Sequence, residues 1–133
     1  MHKWACAAAA VAGLTGAGGI ILAAAAAHGV PDPRLQTAAN FSILHAAAAL
    51  AVCGLALATP QRGIWFLGAA GLFLSGSLLF GGDLSARALA GTRLFPMAAP
   101  LGGTLLMLGW AFVTLAALIV MHQSRDGKPD QNI

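Results

Sequence analysis

Residues 38–59 read AANFSILHAAAALAVCGLALAT, a run of 22 residues without Lys, Arg, Asp or Glu. As an α-helix this run would be about 33 Å long, which is enough to cross a hydrocarbon core of roughly 30 Å. Its first half also has a polar edge, where Asn40 and His45 interrupt the aliphatic residues. The stretch therefore predicts a membrane-spanning helix that carries polar side chains.

Three more runs of the chain lack charged residues and are long enough to span a membrane. They cover residues 4–27, 64–82 and 101–121, which are 24, 19 and 21 residues long. The connections at 28–34 and 60–63 contain proline, glycine and charged residues, which stop helices. We expect an all-α fold, an integral membrane four-helix bundle with short loops, in a single domain of residues 1–133 that ends in a polar tail at 122–133.

Two parts of this organisation have alternatives. The third connection, residues 83–100, contains Arg87 and Arg93 among apolar residues, so a loop and a short interfacial helix are both open. The first run could be a secretory signal peptide, because His2 and Lys3 precede an alanine-rich segment. Its 24 uncharged residues exceed the usual signal core of about 7 to 15 residues, which favours a retained helix.

The composition excludes soluble and disordered proteins. Hydrophobic residues make up 59% of the chain and charged residues 8%, whereas soluble domains contain roughly 25% charged residues and disordered chains have low hydrophobicity. The seven Lys and Arg are scattered singly, so we expect the lipid bilayer as partner and no nucleic acid. With four spans, four of the seven Lys and Arg lie on the side of the membrane that has both termini, and three lie on the opposite side. Because cytoplasmic segments carry an excess of Lys and Arg, this distribution predicts cytoplasmic termini.

Small residues recur on the predicted helices at spacings that place them on one face. Membrane helices associate by close packing, and small side chains let their backbones approach. The predicted packing positions are Gly68, Gly71, Gly76, Gly102 and Gly109. A bundle packed within one chain fits this pattern, and so does a seam in a homo-oligomer or in a larger membrane complex.

Polar residues within membrane helices cost energy unless they are paired or face a cavity, so they mark candidate sites. The candidate polar or ligand-site residues are His28, Thr37, Asn40, His45, Ser75 and Ser77. His45 could be a packing histidine bonded to a neighbour or a proton-responsive group, and together with His28 it could bind haem or a quinone. We expect no metal and no cofactor, because no third or fourth ligand has the spacing of a metal site.

No catalytic motif occurs in the sequence, so we expect no enzymatic activity. Ser75 and Ser77 flank Gly76, but no G-x-S-x-G motif surrounds them. No acid–base pair is expected inside the membrane, because the four acidic residues fall in predicted loops or the tail: Asp32, Asp83, Asp126 and Asp130. We therefore expect a structural or accessory membrane protein. The alternative is a minimal carrier or channel for protons or a small solute, which would use the polar edge of Asn40 and His45 together with the two serines.

Several short strings follow one another in a characteristic order along the chain. They are AHG at 27–29, TA at 37–38 followed by Phe41 and His45, LF at 72–73, SGSL at 75–78, PLGG at 100–103 and GW at 109–110. Together they resemble the YgdD-like family of small four-helix inner-membrane proteins of unknown function. The resemblance runs from about residue 27 to residue 118. It implies a four-span protein of a bacterial inner membrane and carries no catalytic residue.

Overall fold

Four long helices joined by short turns make up the described part of the chain. The computed structural model describes residues 1–126, with side chains up to His122. The helices are α1 (His2–His28), α2 (Pro33–Ala58), α3 (Gly63–Ala90) and α4 (Ala98–Asp126). Each contains a segment that is long and apolar enough to cross a membrane, which confirms the predicted all-α membrane bundle. The predicted polar tail at 122–133 lies mostly outside the described residues, and α4 continues through its beginning.

The two middle helices form the centre of the bundle, and the two terminal helices flank them. α2 packs against α1 and α3, α4 packs against α3, and α1 touches α3 less extensively. The most apolar windows of α2 and α3 are 39% and 44% buried, against 17% in both α1 and α4. Most of the surface of the two outer helices therefore faces lipid.

Small residues seven positions apart attach the outer helices to the central pair. The buried positions are Ala5, Ala12 and Gly19 on α1, and Gly102, Gly109 and Ala116 on α4. A seven-residue spacing keeps side chains on one seam when helices cross in a left-handed sense. The approach of α1 to α2 is close, because a methyl group added at Gly19 would lie 2.8 Å from the Ile43 side chain.

The five glycines predicted as packing positions have different surroundings. Gly76 and Gly102 face each other where α3 and α4 cross, and a methyl group on either one would lie 2.9 Å from the carbonyl oxygen of the other. Gly68 and Gly109 each lie against an aromatic ring of the neighbouring helix. A methyl group added at Gly71 would meet no atom within 4 Å. Four of the five thus lie at close helix contacts, and Gly71 does not.

Helix α2 begins five residues before the predicted span because its first turn is capped. The Asp32 carboxylate accepts a hydrogen bond from the Arg34 backbone N–H at 2.8 Å, and Pro33 occupies a first-turn position that suits proline. The Arg34 guanidinium also donates to this carboxylate, which holds the pKa of Asp32 below its ordinary value. The cap therefore contributes fully above the ordinary pKa of an aspartate, and its contribution is lost as the pH falls through the lowered value.

Helix α3 extends beyond the predicted span at its C-terminal end. The uncharged run stops at residue 82, but the helix continues to Ala90, so residues 84–90 form its last turns and no separate surface element. It ends at Gly91, whose φ of 68° lies in the left-handed region that glycine adopts without steric cost. The connection to α4 is consequently shorter than the predicted one and covers residues 91–97.

Candidate functional site

A buried histidine with three aromatic neighbours lies at the centre of the bundle. His45 follows Pro33, the first residue of α2, by twelve positions, which is about 18 Å along the axis and close to the midpoint of the helix. Its side chain is 3% exposed. The ring centroids of Phe41, Phe73 and Trp110 lie 5.6, 5.5 and 6.2 Å from the imidazole centroid. The site therefore joins α2, α3 and α4 near the middle of α2.

Two hydrogen bonds define the tautomer of this histidine. Its Nδ1 lies 2.9 Å from the Phe41 carbonyl oxygen, and because a carbonyl only accepts, Nδ1 carries the hydrogen. The Trp110 indole Nε1–H donates to His45 Nε2 across 3.3 Å, which requires the lone pair of a neutral ring. Both ring nitrogens are thus bonded in the neutral form.

Gly109 makes room for the aromatic rings around the histidine. A methyl group added there would lie 2.6 Å from Cδ1 of Phe73. Phe73 is fully buried, and its ring centroid lies 4.9 Å from that of Trp110 in an edge-to-face arrangement, which aromatic pairs prefer. Two neighbouring residues of α4 therefore build the site, since Gly109 accommodates one ring and Trp110 supplies the other.

We expect Trp110→Phe to lower the free energy of unfolding by about 1 to 3 kcal/mol, because His45 Nε2 would stay buried without its donor. ¹⁵N NMR of histidine-labelled protein in detergent measures the bond directly. The wild type should show a protonated Nδ1 and an unprotonated Nε2 whose shift changes in the variant. Trp65→Phe is the matched control, because the Trp65 ring packs on Phe112 and not on the histidine. An Nε2 shift that is the same in wild type and Trp110→Phe would contradict the bond.

The other polar residues predicted as site residues are dispersed over the bundle. His28 is exposed at the end of α1, and within residues 1–122 no hydrogen bond or ring contact joins it to the buried histidine. Thr37 and Ser75 each donate to a carbonyl four residues earlier in their own helix. The exposed Asn40 accepts a hydrogen bond from Gln36 Nε2 at 2.8 Å. Among the described residues, no three His, Cys, Asp or Glu side chains cluster as metal ligands.

Ser77 is buried, and its hydroxyl has no hydrogen-bond partner in the described part of the chain. It lines a groove of about 540 Å³ between α1 and α3, to which Ser42 of α2 also contributes. Asn40, His45 and Ser75 do not line this groove. Of the four polar side chains of the carrier hypothesis, Ser77 therefore borders this groove and the other three do not.

An ion pair within α3 corrects the expectation that Asp83 lies in a loop. Asp83 is completely buried and pairs with Arg87 one turn later, while its Oδ1 accepts the Leu94 backbone N–H at 3.0 Å. The sequence predicts a loop at residue 83, because Asp83 is the charged residue that ends the uncharged run 64–82. The helix continues because Arg87 neutralises the carboxylate. The four-residue spacing of opposite charges is a helical pattern and is the feature of the sequence that indicates this pair.

Comparisons with known proteins find similar chains. A family model described as "Protein of unknown function (DUF423)" matches residues 22–103, from the end of α1 to the start of α4. The UPF0382 inner membrane proteins YgdD of Escherichia coli (strain K12) and of Shigella flexneri are each 34% identical to the chain over 85 residues. The aligned segment spans 63% of this chain and 63% of the length of each relative. No solved structure matches the chain significantly.

Proposed function

The chain belongs to the DUF423 family of proteins of unknown function, and from this premise we propose that it is a non-enzymatic accessory or structural subunit of a membrane assembly. It is a multi-pass protein of the inner membrane, as its relatives and its four apolar helices indicate. The orientation with both termini in the cytoplasm stays a prediction from the distribution of Lys and Arg.

The observation that carries the proposal is the shortness of the connections between the helices. The three connections are 29–32, 59–62 and 91–97, which are four, four and seven residues long. Such turns leave almost no surface outside the membrane on which a soluble substrate could bind. Recognition of another molecule then has to take place between helices, in the plane of the lipid.

The bonding of the central histidine also supports a structural role. His45 uses both ring nitrogens on groups of its own chain, the Phe41 carbonyl and the Trp110 indole. A histidine that relays protons needs one nitrogen that exchanges partners along a polar path. The arrangement instead ties α2 to α4, which have few other contacts with each other.

One lipid-facing surface of α3 is suited to association with another helix. Gly71 and Ser75 are four residues apart and both exposed, and the Ser75 hydroxyl is bonded back to the Gly71 carbonyl at 2.7 Å. Small residues at this spacing allow the backbones of two membrane helices to approach closely. Since a methyl group added at Gly71 would have no neighbour within 4 Å, the helices of the bundle do not pack closely at this position.

We expect Gly71→Leu to reduce association several-fold while the variant still folds, because a β-carbon added there meets no atom within 4 Å in the single chain, whereas a leucine would separate two apposed helices. Native mass spectrometry of protein released gently from its own membrane gives the measurement. The wild type should carry an added protein mass or a multiple of its own mass.

The matched control is Gly13→Leu on α1, where an added methyl group also meets no atom within 4 Å. This variant should associate as the wild type does. A wild type released only as a bare single chain would contradict the proposal. Equal loss of association in both variants would contradict the role of the Gly71 surface.

A further inference from the structure

A pocket with two arginines lies at the end of the bundle where α3 connects to α4. Its volume is about 560 Å³. Arg87, Arg93 and Thr104 form its polar side, and Phe80, Met97 and Met107 contribute an apolar side. A cavity that combines guanidinium groups with apolar walls fits a ligand that has both an anionic group and a hydrocarbon chain.

The pocket has an excess of positive charge, and one of its guanidinium groups has a hydrogen-bond donor without a partner among the described residues. Asp83 neutralises Arg87, but the buried Nε–H of Arg87 has no acceptor within the described residues. Arg93 is exposed and pairs with no carboxylate among the side chains up to His122. Two arginines and one aspartate leave a net charge of +1 at the pocket. Guanidinium groups bind phosphate oxygens through charge-assisted, often bidentate, hydrogen bonds.

The connection beside the pocket has the properties of a segment at the depth of lipid headgroups. Three exposed apolar residues lie within four positions after Arg93. They are Leu94, Phe95 and Met97, which are 51%, 41% and 60% exposed. Exposed apolar side chains next to a cation are typical of an interfacial segment, in which the apolar groups enter the acyl region. The hydrogen bond from the Leu94 N–H to Asp83 holds this segment against α3. A pocket beside such a segment would open at the depth of the phospholipid phosphates.

We propose that this pocket binds the headgroup of an anionic phospholipid, with the phosphate on Arg87 and Arg93 and the start of an acyl chain along Met97 and Met107. A zwitterionic lipid also has a phosphate, but its ammonium group would meet the same excess of positive charge. The net charge of the pocket consequently favours lipids such as phosphatidylglycerol over phosphatidylethanolamine. This assignment is independent of the accessory role and of any protein partner.

Native mass spectrometry of the delipidated protein tests the charge of the pocket. With phosphatidylglycerol and phosphatidylethanolamine added at equal concentration, the wild type should retain several-fold more phosphatidylglycerol. Arg93→Gln should abolish this preference. The control is Arg62→Gln, which removes an exposed arginine in the turn at the opposite end of α3 and should leave the preference unchanged. Equal losses in the two variants would show diffuse attraction to charge and overturn the proposal.

Gly103→Leu tests the cavity without changing the charge. A methyl group at Gly103 would have the Phe80 ring as its nearest neighbour at 3.8 Å, an ordinary contact, and a leucine there extends into the space beside the ring. We expect this variant to lose phosphatidylglycerol as Arg93→Gln does. Unchanged binding would overturn the proposal. Inorganic phosphate should not displace the lipid from the wild type, and displacement would assign the pocket to a free anion instead.

Discussion

Gly102→Ala is expected to push α3 and α4 apart and to lower the stability of the folded bundle. The added methyl group would lie 2.5 Å from the backbone nitrogen of Phe80 and 2.9 Å from the carbonyl oxygen of Gly76. Both are backbone atoms, so the contact cannot be relieved by a side-chain rotation and one helix has to move. Overpacking of a core costs about 1 to 3 kcal/mol, and we expect the upper part of that range here.

The thermal unfolding of the protein in detergent, followed by circular dichroism, measures this effect. Gly103→Ala is the matched control, because it is the next residue of the same helix and gains the same helix propensity. Its methyl group would lie 3.8 Å from the Phe80 ring, which is an ordinary van der Waals distance. We expect its unfolding midpoint to equal or exceed that of the wild type. Equal midpoints for the two variants would contradict the close crossing at Gly102.

The membrane architecture could be predicted from the sequence because its determinants are local. Uncharged runs of sufficient length specify which segments cross the lipid, and residues such as Pro33 and Pro60 specify where the chain turns. Each of these features is visible within a window of about 20 residues. In a membrane, a helix satisfies its own backbone hydrogen bonds, so its existence does not depend on distant partners.

The end of α3 could not be predicted by the same rule. The uncharged run 64–82 ends at Asp83. A charged residue ends a membrane helix only when no opposite charge or hydrogen-bond donor compensates it. Compensation here comes from Arg87 in the next turn and from the Leu94 N–H, which is eleven residues away in the sequence. The helix therefore ends at the glycine that adopts positive φ, and a rule based on charge alone stops it too early.

Side-chain contacts are less predictable than helices, because the spacing of residues along one helix does not specify which residues of another helix they contact. The spacing of small residues predicts a packing position at both Gly71 and Gly76. Gly76 lies at the α3–α4 crossing, whereas Gly71 faces open space. His45 was recognisable as a polar residue in an apolar run. Its donor Trp110 is 65 residues further along the chain, and nothing in the local sequence of either residue specifies their contact.

Two arginine–aspartate pairs, Asp32–Arg34 and Asp83–Arg87, lie at the end of the bundle that contains the first and third connections. They differ in burial, and this difference determines how much stability is lost when one charge is removed. The Asp83 side chain is 0% exposed, whereas the Asp32 and Arg34 side chains are 18% and 52% exposed. Water screens an exposed pair and replaces its partner when one charge is removed. A buried charge has no such replacement, so removing one member of the pair in α3 should cost more stability than removing one member of the exposed pair.

Asp83→Asn is expected to lower the free energy of unfolding by on the order of 3 kcal/mol. The amide keeps the shape of the side chain, and its oxygen can still accept the Leu94 N–H. The substitution nevertheless leaves the Arg87 guanidinium without a negative partner in a largely buried site. Removing one member of a buried ion pair costs about 3 to 5 kcal/mol. The 22% exposure of Arg87 places the expectation at the lower end of that range.

Unfolding by denaturant in a fixed detergent gives the measurement, and Asp32→Asn is its control. That variant makes the same chemical change in the exposed pair and keeps an oxygen that can cap α2, so little change in stability is expected. The double variant Asp83→Leu/Arg87→Leu replaces the pair by apolar side chains and should recover much of the stability lost in Asp83→Asn. If Asp83→Asn and Asp32→Asn lose equal stability, the buried pair does not support the fold. A double variant that is less stable than the single one would attribute the effect to the Leu94 hydrogen bond and not to the uncompensated charge.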